Sequence, residues 1–270
     1  MPGTATDLLA LAENAARTAG AVLLDRVGAP VAGVGSKSSA TDMVSDADRD
    51  AERLLRGLIT AERPDDAFVG EEGSDVAGNT GLTWVIDPLD GTTNFLFGFP
   101  QWSVSIACED AEGAVAGVVY DPSRDELFAA TRGGGATLNG GALSVRSEPD
   151  LAEALIATGF GYQPDVRARQ AADLVDIISR VRDIRRAGSA ALDLCWVACG
   201  RLDGYFELGT KHWDRAAGML LVNEAGGRTE PLDPQGDSGD GVLAASSAVF
   251  DELRALVEAV LHRPPADSLH

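Results

Sequence analysis

The sequence contains few cysteines and histidines, and this shortage excludes several kinds of site. Its three cysteines, Cys108, Cys195 and Cys199, are an odd number, and no group of histidines accompanies them. A zinc or redox site built on these thiols would need further Cys or His ligands close by. We therefore predict that the three cysteines are buried, reduced thiols.

Positive charge and long apolar runs are scarce as well. The formal net charge is -20, which opposes nucleic-acid binding, because such binding relies on Lys and Arg to neutralise phosphate. We find no apolar run long enough to span a membrane, no basic leader and no secretory cleavage pattern. The expectation is a cytoplasmic protein that binds neither a membrane nor nucleic acid.

The most informative segment is 84–95, which reads WVIDPLDGTTNF. Asp87 and Asp90 follow the apolar end of a predicted buried strand, and Gly91 and Thr92 open a turn or a helix. Mg²⁺ prefers carboxylate and carbonyl oxygens as ligands. The Leu89 carbonyl lies between the two acids and could be a further ligand. Free N–H groups at a helix start suit a phosphate. The pattern predicts a metal-and-phosphate site, although Asp, Pro and Gly are equally common in ordinary turns.

Three further segments place acidic residues at the boundaries of predicted elements. Glu71 and Glu72 follow a short apolar strand, Asp214 opens an apolar helix, and the polar loop 37–48 leads into another helix. Taken singly, Asp214 is explained as a helix cap and Glu71 as a solvated loop acid. Together with segment 84–95 they make four acidic segments at the kind of position where sites are usually built.

The spacing of apolar residues predicts a layered α/β protein. Helices are predicted at 5–26 and 46–61, followed by strands at 67–70, 83–87, 102–109, 115–120 and 126–130. The second half is predicted as strand 154–158, helix 165–180, strand 183–187, helix 190–199, strand 203–207, helix 213–225, strand 242–246 and helix 248–261. We expect one domain over 1–270, with a metal-bearing half, 1–145, and a substrate-shaping half, 146–262.

The sequence resembles the inositol monophosphatase family, and closely its bacterial SuhB-type branch. The similarity lies in Lys37–Asp48, Gly70–Glu72, Trp84–Phe95, Ala187–Asp193, Tyr205–Glu207 and Trp213–Gly227. The resemblance implies a five-layer α-β-α-β-α sandwich of the metal-dependent, lithium-sensitive sugar phosphatase type, and commonly a homodimer. Arg215 departs from the family pattern, which has an apolar residue there. A position facing solvent would accommodate it and would leave open a local effect on substrate choice.

The resemblance also implies roles for individual residues. Two or three Mg²⁺ would be held by Glu71, Asp87, the Leu89 carbonyl, Asp90 and Asp214. Thr92 and Asp48 would orient and deprotonate the attacking water, with Glu71 also catalytic. Substrate contacts would come from Gly91, Thr92, Gly188, Ser189, Ala190, Asp193, Glu207 and Asp214. Ser189 is explained equally well as the entry residue of a helix.

The activity that the resemblance implies is hydrolysis of myo-inositol-1-phosphate and similar polyol monophosphates. Metal-activated water would attack directly, so no phosphoenzyme is expected. The same scaffold also serves fructose-1,6-bisphosphate, histidinol phosphate and 3′-phosphoadenosine 5′-phosphate, and the match at 205–207 favours a polyol over the nucleotide. Some bacterial relatives act instead as binding proteins in RNA transcription complexes. The charge balance gives little sign of the basic patch that this alternative would need.

Overall fold

The computed structural model describes residues 4–27, 35–36, 43–44, 46–73, 75–148, 150–232 and 240–261. The helices are α1 (Ala5–Leu24), α2 (Asp46–Glu62), α3 (Thr92–Leu96), α4 (Pro164–Ile178), α5 (Ala190–Ala198), α6 (His212–Glu224) and α7 (Phe250–Leu261), with a 3₁₀ turn at Leu151–Glu153. Much of the predicted loop 37–48, at 37–42 and 45, lies outside the described residues, as does the chain from 262 onward.

The strands form two main sheets and one short ribbon. They are β1 (Gly35–Ser36), β2 (Met43–Val44), β3 (Ala67–Gly70), β4 (Thr83–Asp90), β5 (Ser103–Asp110), β6 (Gly113–Asp121), β7 (Glu126–Thr131), β8 (Gly135–Leu138), β9 (Gly141–Ala142), β10 (Leu155–Thr158), β11 (Asp183–Arg185), β12 (Gly204–Leu208), β13 (Gly227–Leu232) and β14 (Gly241–Ser246). Within the described residues, strands β1 and β2 pair with each other and with no further strand.

The first main sheet has seven strands in the order β3-β4-β5-β6-β7-β8-β9. Strand β3 runs parallel to β4, and the other pairs are antiparallel. Alternation along β4 directs Trp84 and Ile86 into the core shared with α1 and α2, and Val85 into the core on the opposite face. Asp87, two residues after Val85, therefore points toward the side of the sheet that α5 and α6 cover.

Strand β4 continues further than predicted. It runs to Asp90 rather than ending at Asp87, with a shift in its pairing to β5 between these two residues. Pro88 has no N–H to donate to the ladder, so an irregularity is expected there. The Asp87 carboxylate accepts a hydrogen bond from the Leu89 N–H at 2.9 Å. Both acids are thus held at an irregular strand end rather than in a free loop.

The second main sheet has five strands in the order β11-β10-β12-β14-β13. Strand β10 is parallel to both of its neighbours, whereas β14 is antiparallel to β12 and to β13. No strand is predicted from the sequence at 227–232, where the structure has β13. Strand β13 lies at the sheet edge, where its Pro231 is tolerated.

The elements stack in five layers, and the predicted sandwich is confirmed. Helices α1 and α2 cover the seven-stranded sheet, α5 and α6 fill the space between the sheets, and α4 and α7 cover the five-stranded sheet. Three clusters of buried apolar residues fill the four interfaces, because the middle cluster extends over both faces of the α5 and α6 layer. The assignment of 1–270 to one domain, with its two halves, stays a prediction.

Two of the shortages noted in the sequence can be examined in the structure. The three cysteines are free thiols, and burial raises the pKa of Cys108 to about 12 and also raises those of Cys195 and Cys199. Raised thiol pKa values make these side chains poor nucleophiles and poor metal ligands. In the part of the chain that the structure describes, no helix is long and apolar enough to cross a bilayer.

Candidate active site

Four predicted metal ligands line one cavity of about 320 Å³. Glu71 comes from the turn after β3, Asp87 and Asp90 from the irregular end of β4, and Asp214 from the first turn of α6. Leu89 lines the same cavity. Segments separated by more than a hundred residues in sequence therefore meet at one place, as predicted from their acidic residues.

The acids of this group raise one another's pKa values. Burial, together with the negative charges of Glu71, Asp90 and Asp214, raises the pKa of Asp87 well above its ordinary value. Burial and the charge of Asp90 do the same to Asp214. A group of buried carboxylates that disfavours its own ionisation is stabilised by a cation, which reverses the sign of the local charge.

The donor set fits a hard cation such as Mg²⁺, because it consists of carboxylate and carbonyl oxygens. Among the described residues, no three Asp, Glu, His or Cys side chains stand in a complete ligand arrangement around one point. The acids line the cavity wall instead of closing around a centre. Mg²⁺ usually completes its coordination shell with water and substrate oxygens, so an open arrangement of this kind suits it.

Asp90 is held by the beginning of helix α5, which belongs to the second half of the chain. Its carboxylate accepts hydrogen bonds from the Ser189 hydroxyl at 2.5 Å, from the Ala191 N–H at 2.8 Å and from the Ala190 N–H at 3.3 Å. Burial raises the pKa of Asp90 to about 6, although these hydrogen bonds favour the charged form. The positive end of the α5 dipole also faces the carboxylate.

Ser189 and Asp193 were predicted as substrate contacts, and the structure does not place either of them on the cavity wall. Ser189 is the N-cap of α5: its hydroxyl accepts from the Leu192 N–H at 3.3 Å and donates to Asp90. Asp193 is 1% exposed, and burial and the charge of Glu207 raise its pKa well above the ordinary value. The helix-entry explanation fits the observed position of Ser189, and direct substrate contact by both residues stays a prediction.

The predicted pair of water-orienting residues is brought together. The Thr92 hydroxyl lies 3.0 Å from Asp48 Oδ1 and 3.1 Å from the Leu89 carbonyl oxygen. Because a hydroxyl has one hydrogen, it donates to one of these acceptors at a time and keeps lone pairs for a third group. Asp48 is buried in the first turn of α2, behind Thr92 as seen from the cavity.

The chain turns sharply at Gly91, which lines the cavity and has a φ of 89°. A Cβ at this position would lie 2.8 Å from the Gln101 carbonyl oxygen and 3.2 Å from that of Gly188. Only glycine combines this φ with so close an approach of backbone. The turn therefore requires glycine, and close approach of its backbone to a bound ligand stays a prediction.

Asn94 joins the two halves of the site and was missed by sequence reasoning. Its side-chain amide donates to the Gln101 carbonyl at 2.7 Å and to the Ala187 carbonyl at 2.9 Å, with that of Gly188 at 3.3 Å. The residue lies inside the most informative motif, but nothing in the local sequence indicates that two of its partners, Ala187 and Gly188, lie 93 and 94 residues further along the chain. Its contacts fix the Gly91 turn against the loop that precedes α5.

The remaining wall of the cavity carries the predicted residues Gly188, Ala190 and Glu207. Other side chains there were not predicted from the sequence: Phe160, Tyr162, Gln163, Arg186 and Lys211. Most of these lie in the loop between β10 and α4 or beside β11, segments that have no distinctive motif. Burial raises the pKa of Glu207 to about 7, against the effects of the Tyr205 hydrogen bond and the Arg186 charge.

Arg215 does not face solvent, so the position predicted for its side chain is wrong. Its side chain is 14% exposed, and the guanidinium donates to the Gly241 carbonyl at 3.0 Å and to the Thr210 hydroxyl at 3.3 Å. These acceptors offset the cost of burying the charge. Thr210 belongs to the loop that precedes α6 and lines the cavity, so Arg215 supports one of the cavity walls from behind.

Comparison with known proteins extends the resemblance to nearly the whole chain. The model of the inositol monophosphatase family matches residues 5–262. An inositol-1-monophosphatase SuhB of Mycobacterium tuberculosis is 42% identical over 270 residues, covering 93% of each chain. A Nus factor SuhB of Haemophilus influenzae is 42% identical over 251 residues, covering 91% of this chain and 94% of that one.

A solved structure shows the same architecture. The crystal structure of extragenic suppressor protein SuhB from Bartonella henselae has a TM-score of 0.85 and 36% identity to this chain. The match covers 95% of this chain and 99% of that one. The fold predicted from the motifs is therefore confirmed by a similar experimental structure.

Proposed function

The chain belongs to the inositol monophosphatase family and is a phosphatase, and from this premise we propose that it hydrolyses myo-inositol-1-phosphate and similar polyol monophosphates with Mg²⁺. One observation carries the proposal. The four acids suited to a hard cation share their cavity with Glu207, an acceptor suited to substrate hydroxyl groups. A phosphate bound beside the acids would therefore present its alcohol portion to Glu207.

The acids would hold the metal ions that the reaction needs. Two or three Mg²⁺ would bind to Glu71, Asp87, Asp90, Asp214 and the Leu89 carbonyl, whose oxygen donors fit this cation. Bound Mg²⁺ would supply positive charge that polarises a phosphoryl oxygen and lowers the pKa of a water. The open arrangement of the carboxylates supports this proposal, since it leaves room for phosphate oxygens.

The turn at Gly91 and the hydroxyl of Thr92 would act on the phosphate and on the attacking water. Backbone N–H groups at Gly91 and Thr92 would bind phosphate oxygens, because both residues line the cavity beside the four acids. With its hydrogen directed to Asp48, the Thr92 oxygen can accept a hydrogen bond from a water. The proton of that water would then pass through Thr92 to Asp48. Direct attack by water leaves no phosphoenzyme.

The alcohol side of the cavity supports a polyhydroxyl substrate. Glu207 is an acceptor that retains partial exposure, and Gly188 and Ala190 line the wall without bulky side chains. A site that hydrogen-bonds substrate hydroxyls discriminates strongly against analogues that lack them, because its polar groups would then be left unpaired. We therefore favour a polyol monophosphate over histidinol phosphate, which has no free hydroxyl group, and the assay below decides between a polyol monophosphate and fructose-1,6-bisphosphate.

A substrate panel tests the proposal. The purified protein is assayed with Mg²⁺ on inositol-1-phosphate, glycerol-2-phosphate, fructose-1,6-bisphosphate, histidinol phosphate and 3′-phosphoadenosine 5′-phosphate, each repeated in excess chelator. We expect the highest kcat/KM on inositol-1-phosphate and no turnover in chelator. A higher kcat/KM on the bisphosphate or on histidinol phosphate would contradict the proposed substrate. Full activity in chelator would contradict the proposed need for a metal ion.

Lithium sensitivity and a homodimer are further parts of the proposal, and they rest on family resemblance. Li⁺ suits hard oxygen ligands but carries too little charge to help the leaving group depart. Inhibition by Li⁺ should therefore vary with Mg²⁺ concentration, and inhibition independent of Mg²⁺ would argue against competition for a metal site. Light scattering coupled to size exclusion measures the oligomeric state directly.

A role in a transcription complex is the second candidate, because the Haemophilus influenzae relative is a Nus factor SuhB. The structure gives this candidate one supporting observation despite the acidic net charge. Helix α4 and strand β11, with the residues next to them, expose several arginines: Arg169, Arg180, Arg182, Arg185 and Arg186. RNA binding that falls with salt and weakens in an Arg180→Ala, Arg182→Ala double variant, with phosphatase activity retained, would support it.

A further inference from the structure

Glu207 is held in place by a side chain that the motifs do not assign to any role. Tyr205 and Glu207 lie two residues apart on β12, so their side chains leave the same face of the strand. The Tyr205 hydroxyl donates to Glu207 Oε2 at 2.8 Å. Among the described residues, this is the only hydrogen bond that the Glu207 carboxylate receives. Tyr205 is fully buried, whereas Glu207 is partly exposed and lines the cavity.

The backbone of Gly159 provides the second constraint on the same carboxylate. Gly159 directly follows β10, whose Thr158 pairs with Phe206 of β12. A Cβ built at Gly159 would overlap the carboxylate of Glu207. The carboxylate therefore rests directly against the glycine backbone. Any side chain at this position would displace it.

Neighbouring negative charges repel the Glu207 carboxylate, so a hydrogen-bond donor is needed to hold it in place. The negative charge of Asp90 raises the pKa of Glu207, and the negative charge of Glu207 raises the pKa of Asp193. Arg186 is the nearby cation and lowers the pKa of Glu207. Arg186 is itself exposed at the cavity rim. Like charges repel more strongly in a poorly solvated site. The buried Tyr205 hydroxyl is thus the fixed element that keeps Glu207 aimed at the cavity.

We propose that Tyr205 and Gly159 are positioning residues that set the alcohol selectivity of the phosphatase by fixing the Glu207 carboxylate. The inference rests on the proposed polyol phosphatase function and deepens it. A carboxylate already fixed in its binding geometry loses little rotational freedom when a substrate hydroxyl binds to it. Without the tyrosine hydroxyl, Glu207 can turn away, and each substrate that uses it binds more weakly.

The test compares two substrates in matched variants. Tyr205→Phe removes a single oxygen, Gly159→Ala adds a single methyl, and Tyr120→Phe serves as control. Tyr120 also donates to a carboxylate, that of Asp125 at 3.0 Å, but lies outside the cavity wall. KM and kcat are measured on inositol-1-phosphate and on 4-nitrophenyl phosphate, which has no hydroxyl groups for Glu207 to bind.

For Tyr205→Phe we expect KM for inositol-1-phosphate to rise roughly 10-fold, with kcat changed less than about twofold. The same variant should leave KM for 4-nitrophenyl phosphate unchanged, and Tyr120→Phe should leave both substrates unchanged. Gly159→Ala should show the same selectivity shift. In a Glu207→Ala background, Tyr205→Phe should have no further effect on KM, because its action passes through Glu207.

Two results would overturn the inference in different ways. Equal losses on both substrates, an unchanged KM in Tyr205→Phe, or an additional loss in the Glu207→Ala background would show that Tyr205 does not act through Glu207. A wild-type protein that hydrolyses no polyol phosphate would overturn the proposed function first and this inference with it. The wild-type assay separates these cases before any variant is examined.

Discussion

The two sides of the cavity hold their acids by different means. On the carboxylate side, Asp90 receives two backbone N–H groups and one hydroxyl from the beginning of α5. On the alcohol side, Glu207 receives one hydroxyl, from Tyr205, and is otherwise located by the missing side chain of Gly159. Backbone donors are fixed by the fold, whereas a single side-chain donor is lost with one atom. We therefore expect a single substitution to disturb the position of Glu207 more easily than that of Asp90.

The largest effect is expected from Asp90→Asn on the carboxylate side. With its oxygen in the place of Oδ2, the amide can still accept from the Ser189 hydroxyl and the Ala191 N–H, so the protein should stay folded, but the acceptor of the Ala190 N–H and a negative ligand oxygen are lost. Metal charge is worth several kcal/mol to such reactions, and we expect kcat to fall by at least about 10³-fold. Asp251→Asn, an exposed acid on α7, is the control. Retained turnover in the Asp90 variant would show that the carboxylate side matters no more for kcat than the alcohol side does.

Thr92→Ala should have the next largest effect. Loss of the hydroxyl removes the relay between the water and Asp48, and a positioned proton acceptor contributes about 10²–10⁴-fold to rate. We expect kcat to fall within that range while Mg²⁺ affinity, measured by calorimetry, changes little. Asp48→Asn should behave alike, and Thr93→Ala, the neighbour on α3, should not. Near wild-type kcat in either of the first two variants would contradict the assigned role.

Ser189→Ala tests how far backbone donors alone can hold Asp90. Two N–H groups remain after the hydroxyl is removed, so we expect a loss of about 10-fold in Mg²⁺ affinity and near-normal kcat at saturating Mg²⁺. The lost N-cap should also lower the free energy of unfolding by about 1 kcal/mol. Ser189→Thr keeps the hydroxyl and should restore both. A raised KM for inositol-1-phosphate at saturating Mg²⁺ would instead support direct substrate contact by Ser189.

Glu207→Ala addresses the alcohol side. KM for inositol-1-phosphate should rise about 10-fold, and KM for 4-nitrophenyl phosphate should hardly change, because only the first substrate has hydroxyls to bind. The competing explanation is that Glu207 only supports the surrounding fold. That explanation predicts equal losses on the two substrates together with a lower Tm, and such a result would remove Glu207 from the substrate site.

The smallest expected effect concerns pH and stability. Burial raises the pKa of Glu207 to about 7 from 4.5, so the folded protein favours its protonated form. The stabilisation from this group is fully present below pH 4.5 and is lost as pH rises toward 7. Partial exposure to solvent in the cavity limits the change to the order of 1 kcal/mol. In chelator, the free energy of unfolding of the wild type, measured in urea relative to that of Glu207→Gln, should fall by this amount as pH rises from 4.5 to 7, and a constant difference would contradict the prediction.

Much of the carboxylate side was predictable because metal chemistry restricts which residues can be there. Asp87, Asp90 and Asp214 stand at strand and helix ends that the apolar pattern locates, and their residue type indicates oxygen ligation. The same apolar pattern predicted the short strand at 67–70 with its observed bounds. Gly91 was predicted because only glycine suits a close backbone approach.

The rest of the site depends on contacts between distant segments, which local patterns do not contain. Asn94 acts through carbonyls on the loop before α5, and Tyr205 acts through a carboxylate that lies against Gly159. Arg215 was expected at the surface because its side chain is charged, yet the guanidinium is largely buried and donates a hydrogen bond to the Gly241 carbonyl. Such partners become visible only when the two sheets are placed together.

The attachment of Asp90 to α5 also has a consequence for how the protein is made. Its partners, Ser189 and Ala191, follow it by 99 and 101 residues along the chain. At synthesis rates of about 5–20 residues per second, roughly 5–20 s pass before they exist. The strands of the first sheet can pair during that interval, while Asp90 lacks the donors that these residues provide. Competence to bind Mg²⁺ should therefore arise late during translation, and chains released before α5 should fold in part yet bind the ion weakly.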